Sequence, residues 1–308
     1  MRVMEKYDIQ KGFDKEGYMM KGSRPIPDKQ SYEFIRDNIN GNCLYKPNLI
    51  QDYCNIYSEW ILSSKLNKLH NLDKFKSKKF VHGTSQSFDF FYLMNHKKRF
   101  RIFKGDFMYH QIMFRSGYDW KYIDEEEIKK DDVVIFSVPF SDFGDLHPQT
   151  DIVLDRCDEL GVPVFIDCAY MVMSRDIEFD FDRKCIVGIA FSLSKGFYGA
   201  EHLRVGIRFT REDIDDPVDV FNSYEMVSYI SCDIGIKLFQ NFETDYIQNK
   251  YHEKQIQVCS DLFIEPTNCV IFGITDETHL KFGDYDRGTR RRRVCISNLI
   301  GDMNPLKI

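Results

Sequence analysis

The sequence predicts an α/β fold in which a mostly parallel sheet of about seven strands carries helices on both faces, followed by a smaller α+β domain. Short runs rich in β-branched and aromatic residues alternate with stretches of helical periodicity, which is typical of parallel sheets covered by helices. This alternation stops after Phe209, and Pro217–Gln257 is mostly helical in character. We therefore expect an N-terminal arm (1–41), a large domain (42–210) and a small C-terminal domain (211–308).

Short apolar runs bounded by polar or glycine-containing segments are the predicted strands. For the large sheet they are Lys79–Val81, Phe100–Phe103, Trp120–Ile123, Val133–Ser137, Val162–Ile166, Ile186–Ser192 and Val205–Phe209. Helical periodicity predicts Pro27–Asn38 and Pro47–Asn67 before the sheet, and Ser85–Met94, Phe107–Phe114 and Thr150–Leu160 between its strands. Two further strands, Asn268–Ile274 and Arg293–Ser297, are expected in the small domain.

The segment from Val133 to Asp167 shows the strand, helix, strand pattern most clearly. Thr150 can cap a helix after the first strand, and Gly161 can end that helix before the second. Asp167 follows directly after the second strand. Since ligands of open parallel sheets bind outside the carboxyl ends of the strands, Asp167 is a candidate site residue.

Composition indicates a soluble globular protein and excludes several classes of function. Of the 308 residues 43% are hydrophobic and 29% charged, and the formal net charge is −6. This charge gives no electrostatic reason to expect nucleic acid or an anionic membrane as partner. No apolar stretch approaches the length of a membrane span, and Met1–Lys21 lacks the apolar core of a secretory signal.

The cysteines indicate the compartment and argue against a metal site. Nine are scattered through the chain without CxxC pairs or paired histidines. This spacing predicts neither structural zinc nor a disulfide framework, so most of them are interpreted as small core residues of a cytoplasmic protein.

Lys195 is the strongest candidate for a catalytic group. It closes an apolar run, where partial loss of hydration disfavours the charged amine and makes it a better nucleophile. The motif SLSK (192–195) is followed by a glycine-bearing run and then by RVG (204–206). Upstream lie DCAY (167–170) and the turn HGTSQ (82–86), which follows a strand and opens a helix. Backbone N–H groups at such a helix start form an anion site.

These motifs, in this order from about Asn42 to Ser297, resemble the class I/II aminotransferases, which are fold type I enzymes of pyridoxal 5'-phosphate (PLP). The resemblance implies that Lys195 forms the internal aldimine and that Ser192 and Arg204 bind the cofactor phosphate. It also implies that Asp167 pairs with the pyridine nitrogen and Tyr170 donates to the phenolic oxygen. The phosphate-binding turn of the family corresponds to Thr84, Ser85 and Gln86.

Further positions match the family less closely. The resemblance implies that Phe107, with Tyr109 as a competitor, stacks on the ring, and that Tyr45 reaches the phosphate in the neighbouring subunit of a homodimer. Arg293, the last residue of an arginine run (290–293), corresponds to the arginine that binds the substrate α-carboxylate. The other three arginines have no assigned role.

Two departures from the family pattern are visible. The interval from the lysine to Arg204 is one residue longer than usual, so local structure in Gly196–Leu203 is expected to differ. Ser141 stands nearest to the position of the usual asparagine, and a hydroxyl cannot reproduce the reach of an amide.

The resemblance implies an aminotransferase that converts an amino acid to a 2-oxo acid and passes the amino group to a second 2-oxo acid. The same parts also serve decarboxylases, eliminating lyases and racemases, so these remain alternatives. A third alternative is a non-catalytic protein that keeps the fold for binding or regulation.

Overall fold

The computed structural model describes residues 22–110 and 117–303. Its large sheet has seven strands, in the spatial order β2 (Ser77–His82), β9 (Val205–Thr210), β8 (Ile186–Ser192), β6 (Val164–Cys168), β5 (Asp132–Ser137), β3 (Arg99–Ile102) and β4 (Trp120–Tyr122). Strands β8, β6, β5, β3 and β4 are parallel, and β9 is antiparallel to both of its neighbours. The mostly parallel sheet predicted from the sequence is confirmed.

Helices pack on both faces of this sheet. The α-helices of the described chain are α1 (Lys29–Asn38), α2 (Leu49–Leu62), α3 (Gly83–Met94), α4 (Thr150–Leu160), α5 (Ala200–Leu203), α6 (Pro217–Ser223), α7 (Tyr229–Asn241), α8 (Tyr246–Leu262) and α9 (Ser297–Ile300). In β5, Val133 and Ile135 belong to a core cluster with Phe88 of α3, whereas Val134 belongs to a second cluster with Tyr53 of α2. Because neighbouring strand residues point to opposite faces, both faces are covered.

The C-terminal part is the smaller α+β unit that the sequence predicts. Strands β10 (Glu265–Pro266), β11 (Phe272–Asp276) and β12 (Arg291–Cys295) form a three-stranded antiparallel sheet. The larger core cluster runs without a break from Ile26 through the large sheet to Ile300. The domain boundaries at 41 and 210 stay a prediction, and residues 1–21 of the predicted arm lie outside the described residues.

One pair of short strands was missed. Strand β1 (Lys68–His70) pairs in parallel with β7 (Glu178–Asp180), with Leu69 opposite Phe179. Both strands are mostly exposed and carry charged residues, so neither produces an apolar run. Periodicity therefore gives no signal for them.

One predicted helix ends earlier and another begins later than periodicity suggests. The carboxylate of Asp245 accepts hydrogen bonds from Ser64 Oγ at 2.6 Å and from the backbone N–H of Lys65 at 2.7 Å, beyond the end of α2. The first helix begins at Lys29 because the Asp28 side chain accepts from the backbone N–H of Ser31 at 2.7 Å. An N-terminal cap of this kind fixes where the helix starts.

The predicted helix Phe107–Phe114 is helical over residues 108–110, and its remainder falls on residues 111–116, outside the described residues. All nine cysteines are buried and unpaired, as expected for small core residues. None of the helices in the described part of the chain has the length and apolar character that a bilayer span requires.

Candidate active site

Asp167 lies at the carboxyl end of the central strand β6 and is almost completely buried. Burial, together with the nearby charge of Asp106, raises the pKa of its carboxyl group to about 7. The backbone N–H of Ala169, which donates at 3.0 Å, the charge of Lys195 and a hydrogen bond from Thr84 act in the opposite direction. A buried carboxyl group in this state is ready to pair with a cation.

Lys195 lies in the connection between β8 and β9 and is half-buried. Its Nζ is 5.5 Å from the ring centroid of Tyr170 and 3.5 Å from the carbonyl oxygen of Ser23. Its charge also lowers the pKa of Asp167. The structure therefore brings together Lys195, Asp167 and Tyr170, which come from two neighbouring strand ends.

Arg204, Ser85 and the backbone at Gly83 form a small cradle at the start of α3, which has the geometry expected of an anion site. Arg204 Nη2 donates to Ser85 Oγ at 2.8 Å and to the carbonyl oxygen of His82 at 3.4 Å. Gly83 has φ +71°, and a Cβ atom there would lie 2.5 Å from Arg204 Nη2. Gly206 approaches so closely that its Cβ would lie 2.9 Å from the Cα of Gly83. Guanidinium, hydroxyl and helix N-terminus thus converge on one small space, an arrangement suited to phosphate.

The connection from Lys195 to Arg204 contains the one-turn helix α5, and Arg204 ends that helix in the left-handed region at φ 56°. The side chain of Ser192 forms hydrogen bonds within the same connection. Its hydroxyl accepts from the backbone N–H of Ser194 at 3.1 Å and lies 3.3 Å from the carbonyl oxygen of Val205. The hydroxyl of Ser192 is therefore engaged inside the loop, and its predicted role as a phosphate ligand stays a prediction.

The side chains of the predicted phosphate turn make different contacts. Thr84 is buried and its side chain hydrogen-bonds Asp167, so it faces the carboxylate end of the site. Gln86 Oε1 accepts from the backbone N–H of His82 at 2.8 Å and satisfies a donor that precedes α3. Ser85 is the residue whose side chain contacts Arg204.

Phe107 and Tyr109, the two candidates for ring stacking, lie against each other. Their ring centroids are 5.8 Å apart and their planes differ by 17°. The Tyr109 hydroxyl donates to Asp89 at 2.8 Å, and burial with this contact raises its pKa to about 12. Both side chains are half-buried, and the hydrogen bond to Asp89 holds Tyr109 in place, which leaves Phe107 the better stacking candidate.

Asp106 is a buried carboxylate that sequence reasoning missed. It accepts from the backbone N–H of Phe107 at 2.7 Å, from the backbone N–H of Ser137 at 3.0 Å and from the Ser137 hydroxyl. Ser141 Oγ lies 3.2 Å from both Asp106 Oδ1 and the carbonyl oxygen of Gly105. Its position could have marked Asp106 as a candidate site residue, because it closely follows the carboxyl end of β3.

Arg293 is buried, with 2% of its surface exposed, and its Nη1 donates to the carbonyl oxygen of Ser141. The guanidinium carbon lies 4.3 Å from the ring centroid of Phe272. Arg290, which precedes β12, and Arg291 are exposed, whereas Arg292 donates to the carbonyl oxygen of His279 at 2.5 Å. Strand alternation places Arg291 and Arg293 on the same face of β12, where Arg291 lies over the ring of Phe143 and Arg293 reaches the carbonyl oxygen of Ser141.

Arg287 is a second buried arginine at this place and was also missed. It donates to the carbonyl oxygen of Asp106 at 2.8 Å and lies 3.3 Å from Asp142 Oδ1. Burial and the charge of Arg293 lower the pKa of Arg287 to about 10, while burial raises the pKa of Asp142. The small domain is thus joined to the loop that carries Ser141 by two cations and one carboxylate.

Two further residues near the site were not anticipated. The side chain of His110 is buried, with its Nδ1 against the Tyr92 hydroxyl, and burial lowers its pKa to about 4. Its Nε2 has no hydrogen-bond partner within the described residues. Ser23 Oγ lies 2.7 Å from the Tyr170 hydroxyl, although 147 positions separate the two residues.

Tyr45 does not join the site within one chain. Its side chain is 96% exposed, so its predicted contact with a neighbouring subunit stays a prediction. Within residues 22–110 and 117–303, no group of three or more His, Cys, Asp and Glu side chains could hold a metal ion.

Comparison with solved structures identifies the architecture. Tyrosine aminotransferase from Leishmania infantum matches with a TM-score of 0.60 and 14% identity, over 90% of this chain and 88% of that chain. A PLP-bound C-S lyase from Staphylococcus hominis matches with a TM-score of 0.62 and 12% identity, over 92% and 91%.

A third match is L-threonine-O-3-phosphate decarboxylase from Porphyromonas gingivalis, with a TM-score of 0.59 and 14% identity, over 89% of this chain and 94% of that chain. The chain has the fold of these enzymes. No protein-family model and no curated protein matches the sequence. The fold type I architecture predicted from the sequence is confirmed, and at these identities the match concerns the fold alone.

Proposed function

We propose that the protein is a PLP-dependent enzyme that acts on an amino acid, and specifically an aminotransferase. The observation that carries this proposal is the convergence of Lys195, Asp167 and the Arg204–Ser85 cradle at one edge of a fold type I sheet. An amine, a buried carboxylate and an anion cradle are the three functional groups that PLP requires at its aldehyde, its ring nitrogen and its phosphate.

The residues present fit this cofactor. Arg204, Ser85 and the backbone N–H groups at the start of α3 would hold the phosphate, and a side chain at Gly83 would fill their cradle. Asp167 would pair with the ring nitrogen, because a cationic partner favours the ionised form of a carboxyl group whose pKa burial has raised. When bound, PLP withdraws electrons from the α-carbon of an attached amino acid.

The chain's own residues then carry the proton and orient the substrate. Lys195, adjacent to Tyr170, would take the proton from the substrate α-carbon and, for transamination, deliver it to C4' of the cofactor. Arg293 binds the α-carboxylate, since a guanidinium group forms bidentate pairs with carboxylates. The burial of Asp167 keeps water from its carboxylate.

Transamination implies an amino-acid donor and a 2-oxo acid acceptor. Elimination and decarboxylation use the same residues, and they differ in which bond of the α-carbon is held perpendicular to the cofactor ring. We further propose a cytoplasmic homodimer in which the exposed Tyr45 reaches the site of the neighbouring subunit.

The proposal is tested with purified protein, PLP and a panel of amino acids. We expect a visible absorption band of bound PLP that is lost in Lys195→Ala and retained in Lys184→Ala, an exposed lysine at the opposite end of the same strand. Conversion of bound PLP to its amine form with release of a 2-oxo acid supports transamination. Release of ammonia or carbon dioxide without an acceptor contradicts it, and absence of the band contradicts PLP dependence.

A further inference from the structure

Residues 22–28, here called the strap, precede α1 and lie against the candidate site. The strap is anchored at its far end by Asp28, which is fully buried. The hydroxyl of Tyr251 donates to the Asp28 carboxylate at 2.6 Å and that of Tyr246 at 3.1 Å, and Lys250 forms an ion pair with it. Asp28 therefore fixes the strap to α8 and limits where its other end can lie.

The N-terminal end of the strap brings Ser23 into contact with two predicted catalytic residues. Ser23 Oγ lies 2.7 Å from Tyr170 Oη, and the Ser23 carbonyl oxygen accepts from Lys195 Nζ at 3.5 Å. The charged groups around Tyr170 are Lys195, whose Nζ lies over the ring, and Arg287, whose charge is coupled to it. One residue of the strap thus contacts both the phenol and the amine.

The direction of the hydrogen bond between Ser23 and Tyr170 decides where the tyrosine proton can go. A phenol has one proton to donate and lone pairs that accept. When Ser23 donates to Tyr170 Oη, the tyrosine proton is available for an acceptor inside the site. Ser141 is poorly suited to supply such a proton, because its hydroxyl lies 3.2 Å from both Asp106 Oδ1 and the Gly105 carbonyl oxygen. Tyr170 is therefore the hydroxyl whose orientation matters most.

We propose that Ser23 is a positioning residue, whose hydroxyl donates to Tyr170 and directs the tyrosine proton towards the phenolic oxygen of the cofactor. This inference rests on the proposed function. It extends the site to the N-terminal strap, which no sequence motif indicates.

Ser23→Ala in the PLP-loaded protein is the test, with the pH midpoint of the cofactor absorption band as readout. A hydrogen bond donated to the phenolic oxygen stabilises its negative charge, so weakening that bond raises the midpoint. One net hydrogen bond corresponds to a shift of roughly half a pH unit to one pH unit. Tyr170→Phe should raise the midpoint further, and adding Ser23→Ala to Tyr170→Phe should change nothing more.

Tyr246→Phe is the matched control, because it removes one hydroxyl that anchors the strap at Asp28 without touching Ser23. We expect it to lower the melting temperature and to leave the midpoint in place. An unchanged midpoint in Ser23→Ala overturns the inference, as does an equal shift in Tyr246→Phe or an additive shift in the double variant. Failure of the wild-type protein to bind PLP refutes the proposed function and this inference with it, so the two failures are distinguishable.

Discussion

Arg204 Nη2 donates to Ser85 Oγ at 2.8 Å across 119 positions of sequence. The contact joins the strand that follows the lysine loop to the first turn of α3. A Cβ atom on Gly83 would collide with the same guanidinium, so the cradle needs both a long cation and a residue without a side chain. Binding of the cofactor phosphate can therefore be tested separately from the reaction that the site would catalyse.

Gly83→Ala should destabilise the cradle in two ways. The φ of +71° disfavours a residue with a Cβ by about 1 kcal/mol, and the contact at 2.5 Å displaces Arg204. Gly161→Ala is the control, because Gly161 has φ +67° and nothing within 4 Å of the built Cβ. We expect both variants to lose stability in urea unfolding, but only Gly83→Ala to lose PLP affinity in a fluorescence titration. Equal PLP affinity in the two variants would contradict the cradle.

Arg204→Gln should weaken binding of PLP far more than binding of pyridoxal, which lacks the phosphate. A charged hydrogen bond contributes roughly 1.5–3 kcal/mol, so the dissociation constant for PLP should rise about 10-fold to 100-fold. The exposed Arg290 provides the control, and Arg290→Gln should bind both compounds like the wild type. If Arg204→Gln weakens both compounds equally, its role is not at the phosphate.

Asp167 should make the cofactor-free protein less stable as the pH rises. Its carboxyl group has a pKa of about 7 in the folded protein and an ordinary value of 3.8. Between these values the folded state binds more protons than the unfolded state, so the free energy of unfolding falls with pH, by at most about 1.4 kcal/mol per unit. Asp167→Asn should remove this loss.

Urea unfolding of the cofactor-free wild type and of Asp167→Asn across this range provides the measurement. The stability of the variant relative to the wild type should increase with pH and level off above the folded pKa. Asp131→Asn, at an exposed position, should follow the wild type throughout. A constant difference between Asp167→Asn and the wild type would show that Asp167 does not titrate in this range.

Arg293→Lys should raise KM for the amino-acid substrate while PLP binding changes little. Lysine keeps the charge but loses the bidentate geometry, so kcat/KM should fall about 10-fold to 100-fold. Steady-state kinetics with one amino donor checks this, with Arg290→Lys as the control. A large loss of PLP affinity in Arg293→Lys would instead indicate a structural role through Ser141.

The sequence predicted the parts of the site that follow strand ends. Asp167 lies at the carboxyl end of the buried strand β6 and Lys195 shortly after that of β8, and parallel strands bring their carboxyl ends to one edge. Arg287 and Ser23 could not be found in this way, because each lies in a non-repetitive segment whose position depends on packing between distant parts of the chain. For the same reason, periodicity extended helix α2 too far. Ser64 and Lys65 instead hydrogen-bond to Asp245, which is distant in sequence.

The anchoring of the strap has a consequence for the order in which the site is assembled. Asp28 is held by residues of α8, and the backbone N–H of Asp302 donates to the carbonyl oxygen of Pro27 at 3.0 Å. During synthesis on the ribosome, the sheet that carries Lys195 emerges before either of these anchors exists. We therefore expect Ser23 to reach Tyr170 only after these last elements have docked, so that completion of the candidate site is a late event in the maturation of the nascent chain.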